Sequence, residues 1–213
     1  MAGIILLAAL VGIYILFLIW YFGFRKPLTV EEVDRYVSIL EKRSGVEGKM
    51  PGGPFENIRK FALEDDGRQF FMCNLSMYYE RPQSKDGVDA GITSRDLNKR
   101  YARSTMPLLL KRACHPYGLF QPLMNLRNIS GQGHSDWDEI NVVRYRSRRD
   151  FLNMITSPQW FAGYGDKQAA LQENPNFPSK GLFVFPVVPI VVLTMLLLVG
   201  LIGMACIYLI PVC

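Results

Sequence analysis

The chain has 213 residues, 24 basic and 19 acidic side chains and a net charge of +5, and every one of those charges lies between Arg25 and Lys180. That length allows one ordinary domain plus extras. The mild surplus argues against nucleic-acid binding, which calls for a concentrated basic face; it fits a solvated surface near anionic lipid headgroups. Four cysteines (Cys73, Cys114, Cys206 and Cys213) without CxxC spacing and two histidines (His115 and His134) leave no disulfide framework and little material for a metal site.

Residues 2–24 form an uninterrupted apolar run. As a helix it spans ~30 Å, the thickness of a hydrocarbon core. Trp20 and Tyr21 lie near its end, and Arg25 and Lys26 follow it. A cleavable signal peptide carries its charges before a shorter core, so a retained anchor is expected. A second apolar segment, from about Leu182 to Ile210, opens with Pro186 and Pro189, which places the start of regular helix near Val188. Arg25, Lys26 and Lys180 on the inner flanks predict a cytoplasmic globular domain with both termini on the opposite face. The expectation is a two-pass protein, in a bacterial inner membrane. Ala8 with Gly12, and Gly200 with Gly203, offer small-residue patches for helix contact. Neither segment holds an ionisable side chain, which argues against a transporter or channel.

Between the anchors, Thr29 and Glu32 form a T-x-x-E capping box. Val30, Val33, Val37 and Leu40 then line one helix face, and Gly45 marks a stop. Residues 45–67, with Pro51-Gly52-Gly53-Pro54, read mainly as loop. Gln69–Tyr79 fits a strand with Phe71, Cys73, Leu75, Met77 and Tyr79 on one face, and Asn74 and Ser76 among apolar neighbours on the other.

A polar loop over 81–91 precedes a helix near Ser94–Ala113, with Leu97, Tyr101, Leu108 and Leu109 inward and a kink expected at Pro107. Tyr117–Leu126 is a predicted second strand, 128–135 a turn, and Trp137–Tyr145 a third strand with Ile140 and Val142 opposite Val143 and Tyr145. Ser147, with Asp150, caps a helix carrying Phe151, Leu152, Met154 and Ile155. Ser157-Pro158 starts another towards Leu171, and a final strand is expected near Phe177 or onward through Leu182 to Phe185. The order, a helix followed by βαββαβ, predicts an α+β, ferredoxin-like sheet with helices on one face. The expected division is a transmembrane helix over 1–24, a domain over 25–180 and a transmembrane helix over 181–213.

Several of these segments, in this order, resemble an uncharacterised family of dimeric α/β-barrel proteins with ferredoxin-like halves. Phe71-Met72-Cys73-Asn74-Leu75 is similar to its "MLNL" strand, and Tyr101–Leu109, with Pro107 inside, to its "YxxxxxPLL" helix. Trp137-Asp138-Glu139, Val142-Val143-Arg144-Tyr145, Ser147-Arg148 and Phe151-Leu152-x-Met154 carry the most specific part, which continues through Pro158 and Ala169-Ala170-Leu171. The likeness covers residues 29–178. Two places depart from it: His115-Pro116 stands where members usually have Gly-Gly, and Asp166-Lys167 where a His-Arg pair is frequent. The flanking apolar helices are also not typical. The resemblance implies a homodimer in which two half-sheets close into a barrel, and it implies no settled reaction.

For chemistry the sequence offers little. His115 reads as a helix-terminal histidine rather than a general base, since no partner histidine, cysteine pair or nucleophile motif lies near it. His134 lies beside Ser135 and Asp136, but triads are built in space, not from adjacent residues. No phosphate loop, HExxH, GxSxG or CxxCH occurs, and no catalytic residue, metal or cofactor is expected. Arg144, Arg146, Arg148 and Arg149 form a basic cluster that could meet anionic lipid or a partner, or simply face solvent. The leading expectation is a non-enzymatic accessory or scaffold subunit, a homodimer in contact with the bilayer and within a larger membrane complex. The competing one is a membrane-tethered enzyme or binding protein for a small hydrophobic molecule, with Asn74, Arg144 and Tyr145 as its polar contacts.

Overall fold

The computed structural model describes residues 1–24, 26–44, 54–83, 91–124 and 136–209. The elements run α1 (Ala2–Phe22), α2 (Val30–Ser44), α3 (Pro54–Leu63), β1 (Phe70–Tyr78), α4 (Ser94–Leu110), β2 (His115–Phe120), β3 (Glu139–Tyr145), α5 (Arg148–Ile155), α6 (Pro158–Ala170), β4 (Leu171–Glu173), β5 (Asn176–Ser179) and α7 (Val187–Leu209). Expectations resting on Arg25, Gly45, residues 51–53, most of the 81–91 loop, the 128–135 turn with His134, and Cys213 lie outside the described residues.

The chain separates into two units, one made of Met1–Phe24 with Gly181–Cys213 and the other of Arg25–Lys180. In the first, α1 and α7 are each long and apolar enough to cross a membrane. Gly23, at φ 66°, ends α1 in a backbone conformation that suits a residue without Cβ. The two helices pack antiparallel along a seam spaced by three and four residues, so their apolar side chains meet instead of splaying. Gly200 and Gly203 accept Leu10 and Leu6, and a Cβ on Gly203 would lie 2.7 Å from the Leu6 side chain. The Tyr14 hydroxyl donates to the Pro189 carbonyl at 3.3 Å. On α1 the expected small-residue pair is not the contact. Gly12 faces open space, while Gly3 lies against Met204 and Tyr208.

The second unit is an α+β domain with an antiparallel sheet in the order β2-β3-β1-β4. β5 also pairs with β1, joining Phe71 to Ser179 and Asn74 to Asn176, and its register continues that of Glu173 with Met77. β4 and β5 are therefore one edge strand interrupted at Asn174-Pro175, where Leu75 N–H donates to the Pro175 carbonyl. The proline has no amide hydrogen to offer, which confines it to such an edge.

Local chemistry explains most helix starts. Thr29 N–H donates to Glu32 while Glu32 N–H donates to the Thr29 hydroxyl, closing the expected capping box. Thr93, Ser147 and Ser157 accept from Asp96, Asp150 and Trp160 backbone amides at the heads of α4, α5 and α6. One helix was not foreseen: α3 lies where Gly and Pro suggested loop. Its amphipathic pattern places Phe55, Ile58 and Phe61 against the core, and tertiary burial outweighs the flanking breakers. β2 also begins two residues earlier than expected, so His115 opens a strand rather than ending a helix.

The core lies between one sheet face and the helices. Phe70, Met72 and Tyr145 from the sheet meet Val33, Tyr36, Val37 and Leu40 of α2, Leu109 of α4 and Leu152, Met154 and Ile155 of α5. Val33, Leu97 and Leu152 are fully buried, each worth ~1.5–3 kcal/mol over an exposed position. Phe70 stacks on Tyr145 at 5.1 Å, with Phe61 and Phe151 edge-on around them. Val30, expected on the packed face of α2, is exposed, and Tyr36 takes the position within the core.

Candidate functional site

Register decides which side chains share a face, because directly paired residues point the same way. Phe70, Met72, Asn74 and Ser76 of β1 pair with Tyr145, Val143, Asn141 and Glu139 of β3, and this is the side beneath the helices. Phe71, Cys73 and Leu75 pair with Arg144, Val142 and Ile140 on the other side. Of the three proposed ligand contacts, Asn74 and Tyr145 thus lie on the helix-covered face and Arg144 on the opposite one. The structure does not bring the three together.

On the helix-covered face a polar string crosses from β1 and β3 to α4. Asn74 Nδ2 donates to Asn141 Oδ1 at 2.6 Å, and Asn141 Nδ2 donates to Glu139 Oε1 at 3.4 Å. The Tyr78 hydroxyl donates to Glu139 Oε2 at 3.0 Å and accepts from Asn98 Nδ2 at 2.7 Å. Burial, with the Glu139 carboxylate beside it, pushes the Tyr78 phenol well above its ordinary range, so it stays a neutral donor. The Arg95 guanidinium lies 4.7 Å from the Tyr78 ring centroid and pairs with Asp138 at 3.0 Å, and Asp138 accepts the Tyr78 amide at 2.9 Å. Asn174 donates to the Leu75 carbonyl and to Ser76. Asn74 and Ser76 are buried because these partners satisfy them, and a lone amide there would cost a few kcal/mol, about 1–3. Sequence reasoning singled out Asn74 but missed Asn141, Glu139, Tyr78 and Asn98. The usable signal was parity: Glu139 and Asn141 share one face of β3.

The opposite sheet face is apolar and not sealed. Cys73, Leu75, Met77, Ile140 and Val142 are half-buried along its centre. Tyr117, Phe120 and Phe177 are 39%, 57% and 51% exposed. Tyr117 meets Phe71 edge-on at 5.1 Å, and the Phe120 ring folds over Gly118, where a Cβ would come within 2.6 Å. No member of the core cluster comes from this face.

The four clustered arginines are engaged within the domain rather than left in solvent. Arg144 is 2% exposed and donates to Gln69 Oε1 at 2.8 Å and the Ala113 carbonyl at 2.7 Å. Arg146 forms a two-point pair with Asp150 at 2.8 Å. Arg148 covers the Phe61 ring, donates to its carbonyl, and approaches the buried Asp65 carboxylate at 3.9 Å. Arg149 pairs with Glu32 and donates to the Pro27 carbonyl at 3.0 Å. Arg148 and Arg149 thus fasten α5 to α3, α2 and the entering chain, while Arg144 ties β3 to the residues that lead into β1 and β2. Asp65, whose pKa burial raises, accepts from the Leu28 and Gly67 amides in the same corner. His115 titrates below its ordinary value, chiefly through burial and secondarily through Arg144 nearby. Among the described residues no group of His, Cys, Asp and Glu could hold a metal.

No protein-family model matches the chain, and no curated protein does. Among solved structures it is similar to the crystal structure of the RPA0582 protein of unknown function from Rhodopseudomonas palustris. That match has a TM-score of 0.53 at 22% identity, over 65% of this chain and 100% of that one. A methylated form of the RPA0582 protein matches with the same TM-score at 21% identity, over 66% of this chain and 98% of that one. At such identity the likeness bears on the fold alone.

Proposed function

We propose that the chain is a two-pass membrane protein whose ferredoxin-like domain pairs with a second copy through its open sheet face. The homodimer would serve as an accessory or scaffold subunit of a larger membrane complex. The observation that carries this reading is the unsealed apolar face, with Tyr117, Phe120 and Phe177 exposed on strands that otherwise form a packed domain. Apolar surface of that kind is stabilised by removal from water, and two such sheets face to face would form a shared core between half-barrels. Connectivity supports anchoring. The entering chain is held at Pro27 and Leu28 by Arg149 and Asp65, and the leaving chain at Ser179 pairs with Phe71. Both connections therefore lie at the Phe70–Tyr145 end of the sheet.

The test is native mass spectrometry of the full chain extracted in mild detergent. A dimer is expected, and Phe120→Lys with Phe177→Lys should convert it to monomer while leaving the circular dichroism spectrum intact. A wild-type monomer at micromolar concentration would refute the self-association. Stoichiometric membrane proteins that co-purify from native membranes would identify the complex. Sidedness has a separate test: a thiol reagent that cannot cross membranes should reach an engineered cysteine at position 85 only after lysis.

The polar string supports a second reading, a binding protein for a small hydrophobic molecule. Its Asn74–Asn141 pair, buried at Asn74 and half-buried at Asn141 on the helix-covered face, is where a ligand's single polar group would be recognised. Under that reading Asn74→Leu abolishes ligand retention in a folded dimer.

A further inference from the structure

Two rows of side chains cross the helix-covered face of the sheet. Leu119, Asn141, Asn74 and Asn176 pair in turn across β2, β3, β1 and β5, and the next row joins Glu139 to Ser76. Paired side chains point to the same side. Asn74 and Ser76 are buried, Glu139 and Asn141 half-buried, and the row ends at Leu119 and Asn176 are exposed. The helices therefore cover the middle of the first row and leave both of its ends open to solvent.

These rows hold more acceptors than their donors occupy. An ionised carboxylate offers about four lone-pair sites. Glu139 uses two of them, for the Tyr78 hydroxyl at 3.0 Å and Asn141 Nδ2 at 3.4 Å, and both donors are neutral. Among the described residues no Lys, Arg or His nitrogen lies within ion-pair distance of Glu139, and Arg95, over the Tyr78 ring, is taken by Asp138 at 3.0 Å. Asn174 reaches Ser76, the cross-strand neighbour of Glu139. Its Nδ2 donates to the Leu75 carbonyl at 2.8 Å and to Ser76 Oγ at 3.0 Å. A carbonyl can only accept, so the amide orientation is fixed, and Asn174 Oδ1 is left buried with no partner among the described residues. Ser94 lies one turn before Asn98 on the same face of α4. It is 3% exposed, and its hydroxyl likewise has no partner among the described residues. Buried polar atoms are normally hydrogen-bonded to protein, water or ligand, and a desolvated carboxylate is normally matched by a cation.

From this arrangement we infer that the recess around Glu139 binds a primary ammonium group carried on a small apolar body. The inference rests on the second reading above and names the polar group of its ligand. An ammonium brings three donors and no acceptor, which complements the remaining Glu139 lone pairs and the free Asn174 Oδ1. A carboxylate or phosphate ligand would meet Glu139 as a like charge, and a neutral alcohol would leave the carboxylate without a cation. Leu119 offers the apolar body a surface at the open end of the row.

The test is isothermal titration calorimetry of the full chain in mild detergent at neutral pH and low salt. The probes are n-butylammonium chloride, 1-butanol and sodium butyrate, which share one carbon chain and differ in their head. Butylammonium should bind saturably, one per chain and about tenfold or more tighter than butanol, as expected for a charge-assisted hydrogen bond; butyrate should not bind. Glu139→Gln keeps an acceptor for the Tyr78 hydroxyl and removes the charge, so it should weaken butylammonium by about tenfold or more and leave butanol unchanged. The comparison of heads on the wild-type chain needs no variant to fold. Butanol bound as tightly as butylammonium would overturn the inference, and so would butylammonium binding that Glu139→Gln leaves intact, since the cation would then lie on another carboxylate. A neutral molecule released by Asn74→Leu, from a chain that does not bind butylammonium, would keep the second reading and overturn the ammonium assignment alone.

Discussion

Replacing Arg144 with methionine separates a structural arginine from a ligand contact. The side chain is buried and charged, and it donates to Gln69 Oε1 at 2.8 Å and to the Ala113 carbonyl at 2.7 Å. Hydrogen bonds to charged groups contribute about 1.5–3 kcal/mol each, and orphaned buried acceptors cost about 1–3 kcal/mol. Relief of the guanidinium's desolvation offsets part of that loss, and methionine fills much of the space. The net expectation is a destabilisation of about 3 kcal/mol. For a domain of this size that lowers Tm by about 6–12 °C. The assay is thermal unfolding of the full chain in detergent, followed by circular dichroism and tryptophan fluorescence. A shift under about 2 °C, with loss of a bound small molecule, would refute the structural account and favour a ligand-binding arginine.

Three further outcomes follow from local geometry. The hydrogen bond from Arg149, with the Thr29 amide second, holds the Glu32 carboxyl at about 2. Its stabilisation is present above the unfolded value near 4.5 and is lost as pH falls towards 2. Solvent screening limits it to about 1 kcal/mol, and Asp65, raised by burial, works in the opposite sense. The Tm difference between wild type and Glu32→Gln should therefore shrink below pH 4.5; a difference constant from pH 7 to 2 would contradict the assignment. Ala113 sits at φ 53°, a left-handed conformation that costs an L-residue about 1–2 kcal/mol. Ala113→Gly should raise stability by up to about 1 kcal/mol after the glycine's extra unfolded-state entropy, read by denaturant melts; a loss of stability would count against that strain. In the helix pair, Gly203→Leu drives into Leu6 whereas Gly12→Leu meets open space. Oxidative cross-linking of a Leu10→Cys, Gly200→Cys chain should slow with the first change and not with the second, and equal rates would contradict the seam.

Local signals were legible without any structure. Both apolar helices, the two caps named from the sequence (Thr29 and Ser147), the helix start at Ser157-Pro158, and the strand parity of β1 and β3 depend on residues within a few positions of one another. Hydrogen-bond reach and side-chain alternation act at that range. The charge-free ends and the intervening charged segment likewise follow from composition alone.

What sequence could not supply was the identity of distant partners. The two faces of β1 are both largely apolar, and only pairing with β3 and packing under α2, α4 and α5 put Asn74 and Ser76 inside while Cys73, Leu75 and Met77 stay half-open. Four arginines within six residues looked like a solvated or anion-binding cluster. Their acceptors, Gln69, Ala113, Phe61, Asp65, Glu32 and Pro27, come from chain segments 31 to 122 positions away, apart from the local Asp150. α3 was hidden by its Gly- and Pro-rich approach, because its stability comes from the core it helps to cover. Burial and hydrogen-bond satisfaction are properties of the assembled domain, so residues that local patterns leave ambiguous receive their roles only when the sheet register is set.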